Sequence, residues 1–562
     1  MASIPAVQHA LQLVGPGQLR LNPRKKVHAP GPRQILAQVE AVGLCFSDLK
    51  LLKQFSEHPR KVEIIAGISR EALREIPSYV PGDLPTVPGH EACCRIVAVG
   101  DRVERHRLGE RCMVQADFRE LRTPVANGAF GYNFEGALQE YVLLDERVVL
   151  EPSTGERYLI PVPEGLSASA IALVEPWACV ENSYANPERR GLRRGGRLLV
   201  AADAGRAIEG LDELVAASRP ASLAAWRVEA PQKAPLAALG LPLTEVADPG
   251  ALPDEGFDDI VYFGARKDVL DLLDRKLAVG GILNIVTGGH RIGAPVSVGV
   301  GRIHYAGTRW IGTRTGRPAD SYRAVPATGE LREGDRVVVV GAGGPMGQMH
   351  VLRAVCSGLG GLTVVGADVD DARLEALGRK AVPLAQARGV DLRLVNTRKE
   401  PLPEGATYFA LMAPVGALVA DAVRQAGEGA RINIFAGIPA ATRQDLDLDR
   451  YLERREFLFG TSGSLIRDMK AVLSKVASGQ LDTNLSVDAV SGMAGAADGL
   501  AAVENRTLLG KIVVYPGLHD LPLLPLSGLA PRLPSVAARL SGGSWTAEAE
   551  AELLRAAGRP RP

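Results

Sequence analysis

The sequence predicts an α/β protein in which a mostly β N-terminal domain precedes two doubly wound parallel sheets. Three observations carry this prediction. Short β-like runs separated by Gly and Pro turns occupy residues 33 to about 150. Two later stretches alternate β-like runs with helix-like runs, which is typical of a parallel sheet covered by helices. The second of these stretches repeats short pieces of the first, which indicates an internal duplication.

Length and charge limit the possible partners. The chain of 562 residues is too long for one hydrophobic core, because domains usually run to about 100 to 200 residues. Its 65 basic and 64 acidic residues nearly cancel, so no electrostatic surface for nucleic acid or an anionic membrane is expected. The start lacks the pattern of a signal peptide, and no run of about 18 apolar residues could cross a membrane. We therefore expect a cytoplasmic protein that binds a small molecule, with no nucleic acid and no membrane as partner.

The N-terminal domain is expected over residues 1–190, with runs such as "QILAQVEAVGL" and "ACCRIVAVGDRV" as strands. The late strand "GKIVVYPGL" suggests that residues from about 480 to 517 complete it. Residues 55–87 interrupt the β pattern with charge and proline, and predict an inserted segment with one short helix around "SREALREI". Residues 518–562 form a tail with one helix, for which Thr546 is the expected N-cap and Gly558 lies beyond the end. The sequence assigns this tail no function.

Two Rossmann-like units are expected, the first over residues 191–325 and the second over 326–479. "LRRGGRLLVAADAG" in the first unit matches "LREGDRVVVVGAGG" in the second, and "GGILNIVTG" matches "GARINIFAG". "WIGTRTG" and "LFGTSG" follow in nearly the same register. These ordered matches predict a duplication of about 120 to 140 residues. The alternative is two unrelated sheets that look alike.

The second unit carries a candidate nucleotide loop after its first strand. In a dinucleotide fold the glycines allow the tight turn and let the backbone approach the pyrophosphate. Asp368 ends the next β-run, 21 residues after Gly347, where a carboxylate binds the adenosine ribose and repels a 2′-phosphate. This favours NAD over NADP, although a structural turn with an incidental Asp gives the same pattern. The candidate binding residues are Gly341, Gly343, Gly344, Pro345, Met346, Gly347 and Asp368.

The first unit lacks this loop. It has "AADAGRA" where the glycines should be, and Arg227 falls roughly where Asp368 falls in the second unit. An arginine there could pair with a 2′-phosphate, but side chains in the loop would crowd the pyrophosphate. We therefore expect the first unit to serve as a scaffold or an interface rather than as an NADP site.

The cysteines and histidines outside any motif are expected to be structural. Six cysteines, with no CxxC pair among them, are too few for a disulfide framework. Cys93, Cys94 and Cys356 are expected in the core. His350, three residues after the glycine loop, is expected on the surface of a helix, with a position facing the cofactor as the alternative, and His304 is unassigned.

Three segments, "GLCFSDLK", "VPGHEACC" and "LVEPWACVE", resemble the zinc-dependent medium-chain alcohol and polyol dehydrogenases. The resemblance rests on Cys45, Ser47, Asp48, the GHE motif at His90 and Glu91, and the closing "GKIVVYP". It covers most of residues 30–190 and 455–517, and it implies a GroES-like catalytic domain beside the Rossmann-like sheets. The gap from Cys45 to His90 is longer than usual in that family, because it contains the inserted segment.

The resemblance also implies roles for these residues. Cys45 and His90 would bind a catalytic zinc, which takes three protein ligands and keeps a fourth position open. Glu175 matches the glutamate ligand of the polyol branch, with Cys179 as a substitute, and Glu91 would bind the metal directly or through water. Asp48 would orient the histidine and Ser47 would relay the alcohol proton. Only Cys112 lies where the family has four closely spaced cysteines, so we expect one catalytic zinc and no structural zinc.

The implied activity is hydride transfer between NAD and a polyol, sugar or sugar phosphate. The loop "GAGGPMGQMHVLRA" also resembles that of L-sorbose 1-phosphate reductases. A threonine-type amino alcohol is an alternative substrate. A second hypothesis is a catalytically silent NAD-binding protein, because the degenerate unit directly follows the catalytic segment. The family resemblance further implies a homo-oligomer.

Overall fold

The computed structural model describes residues 4–556, so Gly558, expected beyond the last helix, lies outside the described residues. Within that range the chain divides into two compact units. Unit 1 is formed by the residues up to Glu181 together with those from Ser464 onward, and unit 2 is Asn182–Gly463. Residues 464–479, expected at the end of the second Rossmann-like domain, fall in unit 1. None of the helices between residues 4 and 556 has the length and hydrophobicity that a membrane-spanning segment requires.

The first part of unit 1 is mostly β-structure. Its strands are β1 (Val7–Gly15), β2 (Gln18–Lys26), β3 (Gln34–Gly43), β4 (Glu91–Val99), β5 (Arg111–Val114), β6 (Asp117–Arg122), β7 (Asn127–Ala129), β8 (Tyr141–Asp145) and β9 (Leu159–Pro161). The helices are α1 (Phe46–Gln54), α2 (Arg70–Arg74), α3 (Ala168–Ala172) and α4 (Val174–Ala185), and the last four residues of α4 belong to unit 2. The short helix α2, capped by the Ser69 side chain, lies where the inserted segment predicts one.

The first half of unit 2 is a doubly wound parallel sheet. Its strands are β10 (Arg197–Ala202), β11 (Ser222–Trp226), β12 (Leu243–Val246), β13 (Phe257–Phe263), β14 (Leu277–Val286), β15 (Val296–Val298) and β16 (Arg309–Thr313). Its helices are α5 (Leu211–Ala217), α6 (Ala230–Ala237), α7 (Lys267–Lys276), α8 (Val300–Tyr305) and α9 (Pro318–Ala324). The sheet has the order β12-β11-β10-β13-β14-β16, which is the Rossmann order 3-2-1-4-5-6.

The second half of unit 2 repeats this architecture. Its strands are β17 (Arg336–Val340), β18 (Thr363–Asp368), β19 (Asp391–Asn396), β20 (Ala406–Leu411), β21 (Ala426–Ile434), β22 (Gln444–Leu446) and β23 (Phe457–Phe459). Its helices are α10 (Pro345–Val355), α11 (Asp371–Arg388), α12 (Gly416–Gln425) and α13 (Leu448–Glu453). The strand order β19-β18-β17-β20-β21-β23 is the same as in the first sheet. The predicted fold class, with duplicated Rossmann-like sheets, is confirmed.

The two halves of unit 2 join through equivalent elements. β15 and β22, which follow the fifth strand of their respective sheets, pair with each other in antiparallel register. The Tyr451 hydroxyl of the second half donates to the Trp310 carbonyl oxygen of the first at 2.7 Å, and Trp310 is fully buried. Because the same element of each copy meets its counterpart, the contact has the self-complementary form of a twofold dimer interface.

The chain then returns to unit 1 with α14 (Ile466–Ala477), β24 (Val487–Ser491), α15 (Ala496–Asn505), β25 (Lys511–Val514), β26 (Leu524–Pro525), α16 (Pro534–Ala537) and α17 (Ala547–Ala556). The sheet of unit 1 has the order β26-β24-β25-β3-β4-β5-β9, with β8 paired to β3. The late strands thus complete the N-terminal sheet. Glu550 of α17 accepts hydrogen bonds from the Ala168 and Ser169 N–H groups at 2.6 and 2.8 Å, so the tail packs on the start of α3.

Candidate active site and nucleotide-binding loop

Strand pairing in unit 1 brings the motif residues to one place. Gly43, the last residue of β3, lies opposite Glu91, the first residue of β4, and Val513 of β25 lies on the other side of Gly43. Cys45 follows β3 directly as the N-cap of α1. A Cβ atom at position 43 would lie 2.1 Å from Glu91 Oε2, so the glycine makes room for the Glu91 carboxylate.

Cys45, His90 and Glu91 converge. Their candidate ligand atoms all lie within 4.8 Å of one another. The Ser47 hydroxyl donates to Cys45 Sγ at 3.0 Å and lies 3.2 Å from His90 Nε2. The structure therefore brings together three of the four expected metal ligands and the expected proton relay.

Asp48 holds His90 in a defined orientation. Its carboxylate is buried and lies 3.1 Å from His90 Nδ1, and it also accepts the Cys45 and Gly89 N–H groups at 3.0 and 3.3 Å. Burial disfavours the charged forms of both side chains. The attraction between Asp48 and His90 outweighs this effect, so the pKa of Asp48 is lowered and the pKa of His90 is raised. A histidine that donates its Nδ1 proton to a carboxylate presents Nε2 as a metal ligand.

Glu91 is fully buried, and its two oxygens have different environments. Oε1 accepts a hydrogen bond from Lys511 Nζ at 2.5 Å, and Lys511 also donates to the Leu44 carbonyl oxygen at 2.7 Å. Burial opposes the charge of Lys511, but Glu91 raises its pKa. Oε2 is buried and has no hydrogen-bond partner between residues 4 and 556. Sequence reasoning missed Lys511, although it begins the strand of "GKIVVYP" that carried part of the resemblance.

Glu175 lies in the first turn of α4 and outside the converging set. Among the described residues, Glu175 does not belong to the set of mutually close ligand atoms that Cys45, His90 and Glu91 form. The Cys179 thiol lies 3.7 Å from Glu175 Oε1. Burial raises the pKa of Glu175 to about 7, and the nearby Glu91 carboxylate adds to this shift against the opposing charge of His90.

The donor set of this cluster fits zinc. A thiolate, an imidazole and a carboxylate are the ligand types that zinc binds, and three of them leave one tetrahedral position open. The unpaired Glu91 Oε2 supports this fit, because a buried carboxylate oxygen normally has a partner. Cys45, His90 and Glu91 could therefore hold the ion.

The inserted segment 55–87 reaches the same region of unit 1. Its Arg60 forms an ion pair with Asp117, and the guanidinium lies 5.8 Å from the centre of the Tyr132 ring. The Tyr132 ring lies 5.9 Å from that of His90. Tyr132 thus lies between His90 and Arg60, and no motif in the sequence indicated either residue.

The glycine loop in unit 2 has the geometry that its residues require. Gly341 has φ +83°, a left-handed conformation that favours glycine. A Cβ atom at Gly347 would lie 2.2 Å from the Gly341 carbonyl oxygen. Gly344 is the N-cap of α10, and Pro345 and Met346 form the start of its first turn. The loop therefore leads directly into a helix N-terminus.

Asp368 lies at the carboxyl end of β18, beside this loop. Its Oδ2 accepts the Gly343 N–H at 2.9 Å and its Oδ1 accepts the Val369 N–H at 2.8 Å. The structure therefore brings all seven expected cofactor-binding residues to one end of the second sheet.

The equivalent loop of the first sheet is filled by its own side chains. Arg206 donates to the Thr287 carbonyl oxygen, and the Gly205 N–H donates to Glu229 Oε2 at 3.0 Å. Arg227 has φ +60° and lies 3.9 Å from Asp203 Oδ1. The next helix, α5, begins only at Leu211. That this copy does not bind NADP stays a prediction.

One expectation about a histidine is wrong. His350 is fully buried rather than on a helix surface, because α10 is covered on all sides from Gly347 to Val355. Its Nδ1 lies 2.8 Å from the Tyr184 hydroxyl, and burial lowers its pKa to about 3. His304 is buried as well. Cys93, Cys94 and Cys356 are buried as expected.

Comparison with known proteins shows similarity to alcohol dehydrogenases and related oxidoreductases. Residues 31–153 match the family described as alcohol dehydrogenase GroES-like domain. The uncharacterized protein YggP of Escherichia coli (strain K12) is 26% identical over 345 residues, which are 55% of this chain and 75% of the relative. L-sorbose 1-phosphate reductase of Klebsiella pneumoniae is 26% identical over 348 residues, 56% of this chain and 77% of that protein. A crystal structure of a "putative Alcohol dehydrogenase" from Sinorhizobium meliloti 1021 has a TM-score of 0.50 at 16% identity, covering 91% of this chain and 100% of that one.

The resemblance to the medium-chain alcohol and polyol dehydrogenases is confirmed by these matches. The chain is an oxidoreductase of the alcohol dehydrogenase type. It combines a GroES-like domain with two Rossmann-like sheets.

Proposed function

We propose that this chain is a zinc- and NAD-dependent dehydrogenase that interconverts a secondary alcohol and a ketone of a polyol, sugar or sugar phosphate. The observation that carries the proposal is the convergence of Cys45, His90 and Glu91 within 4.8 Å, with the Ser47 hydroxyl at hydrogen-bond distance from two of them. A scaffold would not need the Ser47 hydroxyl or the Asp48 carboxylate in these positions.

In this proposal Cys45, His90 and Glu91 would hold the zinc, and Glu175 lies outside this set of ligand atoms. Bound zinc would supply the Lewis acidity that lowers the pKa of an alcohol, and bound NAD would supply the hydride acceptor. Ser47 takes up the alcohol proton and passes it toward solvent. Asp48 keeps His90 in the tautomer that binds through Nε2, and Lys511 neutralises and positions Glu91.

The second Rossmann-like sheet is proposed as the NAD site. Gly341 and Gly343 let the backbone approach the pyrophosphate, and the N-terminus of α10 supplies its partial positive charge. The Asp368 carboxylate selects NAD, because it would repel the 2′-phosphate of NADP. Residues 1–190 with about 480–517, 191–325 and 326–479 are proposed as the catalytic, scaffold and NAD-binding domains.

The substrate class rests on the relatives. One relative is named L-sorbose 1-phosphate reductase, and the sequence carries the glutamate typical of the polyol branch. The test is an NAD-coupled assay of polyols, sugars, sugar phosphates and threonine with the purified chain, repeated with NADP. Oxidation of a polyol or sugar phosphate with NAD, lost in Cys45→Ser, is expected. NAD binding with no oxidation of any of these alcohols would support the catalytically silent protein instead.

A further inference from the structure

A second group of metal-ligating side chains lies in unit 1 and shares no residue with the first. It consists of His9 on β1, Glu140 just before β8, and His519 in the loop after β25. The three residues come from distant parts of the sequence, so no spacing motif could have indicated them. Their candidate ligand atoms all lie within 4.8 Å of one another.

The backbone fixes two of these residues side by side. The His9 N–H donates to Glu140 Oε2 at 2.8 Å, and the Glu140 N–H donates to the His9 carbonyl oxygen at 3.3 Å. The His519 carbonyl oxygen accepts the Ala494 N–H at 2.9 Å, which anchors the third residue. The site is therefore formed by ordered segments.

The distances suit a single ion. His519 Nε2 lies 2.9 Å from Glu140 Oε1, and His9 Nδ1 lies 3.5 Å from Glu140 Oε2. Two donors bound to one tetrahedral zinc lie about 3.3 to 3.4 Å apart, because the bonds are about 2.0 to 2.1 Å long. The two separations lie on either side of that value, but they join the histidines to different Glu140 oxygens, so both rings must turn before they share one ion.

The two imidazole rings stack with centroids 3.8 Å apart and an interplanar angle of 29°. All three side chains are partly exposed, between 12% and 33%, so an ion can enter from solvent.

We propose that His9, Glu140 and His519 form a second metal site that binds one divalent transition-metal ion of the zinc class. Two imidazoles and one carboxylate are a ligand set that such ions prefer, and solvent would occupy the remaining position. The ion joins β1, the segment before β8 and the loop after β25. We assign the ion a structural role, because it would tie these three segments of unit 1 together and shares no ligand with the Cys45 cluster.

The test uses the full chain in a Cys45→Ser, His90→Ala background, from which the first cluster has been removed. After treatment with a chelator and reloading with Zn²⁺, this variant is expected to bind one zinc per chain and to gain several degrees in Tm. Adding His519→Gln or Glu140→Gln abolishes both effects. His290→Gln, a substitution at an exposed histidine of unit 2, leaves them unchanged.

Cobalt substitution of the otherwise unaltered chain distinguishes this site from the proposed catalytic one. Thiolate ligation by Cys45 gives a near-ultraviolet charge-transfer band, whereas a site of two imidazoles and a carboxylate gives only visible d–d bands. His519→Gln should lose one cobalt per chain and keep the thiolate band and any dehydrogenase activity. If His519→Gln and Glu140→Gln are folded and bind as much metal as the unaltered chain, the two histidines merely hydrogen-bond to Glu140 and the proposal is overturned.

Discussion

The ion pair between Lys511 and Glu91 shows how one residue contact supports the site. Both side chains are almost fully buried, at 6% and 0% exposure, and the 2.5 Å contact is the only hydrogen bond that Glu91 carboxylate oxygens make among the described residues. Lys511 thus places a positive charge against the buried Glu91 carboxyl group, beside Cys45 and His90. The Lys511–Glu91 pair therefore contributes both to the stability of the folded protein and to the placement of Glu91 among the candidate metal ligands.

We expect Lys511→Met to lower the free energy of unfolding of metal-free protein by about 3 to 5 kcal/mol, because it leaves Glu91 as an uncompensated buried charge. Denaturant unfolding measures this. Lys470→Met, which breaks the exposed Lys470–Glu156 pair, should change stability by only about 0 to 1 kcal/mol. Adding Glu91→Gln to Lys511→Met should recover most of the loss. Equal effects of the two single lysine substitutions would contradict the role given to Lys511.

Ser47 is expected to act in proton transfer and not in metal binding. Ser47→Ala should lower kcat by about 10² to 10⁴-fold, the usual contribution of a positioned proton-transfer group, while zinc content stays unchanged. Ser478→Ala, at an exposed serine of unit 1, is the matched control. An unaltered kcat would show that the proton leaves by another route.

The motif residues could be predicted from the sequence because side chains of the required chemical types stand close together in it. Cys45, Ser47 and Asp48 lie within four positions, and His90 and Glu91 are adjacent. Lys511, Arg60 and Tyr132 reach the same region only through tertiary folding, so no local pattern marks them. That Glu175 lies outside the converging set is likewise a result of tertiary folding that no local pattern marks.

At the level of elements, the glycine loop and α10 form one rigid unit. The backbones of Gly341 and Gly347 are packed together, and a Cβ at Gly347 would also lie 2.7 Å from Ala342 Cα. The helix N-terminus that would bind the pyrophosphate therefore depends on a glycine at position 347.

Gly347→Ala is expected to push α10 away from the loop and weaken NAD binding at least tenfold. Isothermal titration of NAD into the full chain measures the change in Kd. Gly360→Ala is the control, because a Cβ there meets nothing within 4 Å and φ is not left-handed. NAD affinity within twofold of the unaltered chain would move the cofactor site away from this loop.

The turn before β23 contains a buried carboxyl group. Glu456 is 5% exposed, and neither of its oxygens has a hydrogen-bond partner among the described residues. Burial raises the pKa of Glu456 from its ordinary value of 4.5 to about 8, against the opposing charges of Arg450 and Arg454. The folded state thus binds this proton more tightly than the unfolded state, so stability should fall as pH rises from about 4.5 to about 8.

Glu456→Gln should remove this loss, because the amide cannot ionise. We expect the free energy of unfolding at pH 8 to increase by on the order of 2 to 4 kcal/mol relative to the unaltered chain, with little change at pH 5. Glu453→Gln, at an exposed glutamate, is the control. Parallel pH dependences of the unaltered chain and Glu456→Gln would show that Glu456 is ionised at no cost.

At the scale of the whole molecule, an internal duplication explains why unit 2 contains two sheets of the same architecture. The repeated segments predicted two related sheets, and both have the same strand order. The sequence could not show that β15 and β22 pair with each other, because register between two copies depends on tertiary packing. The homo-oligomer stays a prediction, and a second chain would have to dock on a surface other than this paired one.

Metal content compared with activity tests the central claim most directly. Zinc per chain and NAD-coupled alcohol oxidation are measured for the unaltered chain and for Cys45→Ser, His90→Ala, with NAD binding as the control for folding. The prediction is that the variant contains one zinc fewer per chain, loses oxidation and still binds NAD. Equal zinc content and equal oxidation in the two proteins would contradict the assignment of the Cys45 cluster as the catalytic metal site.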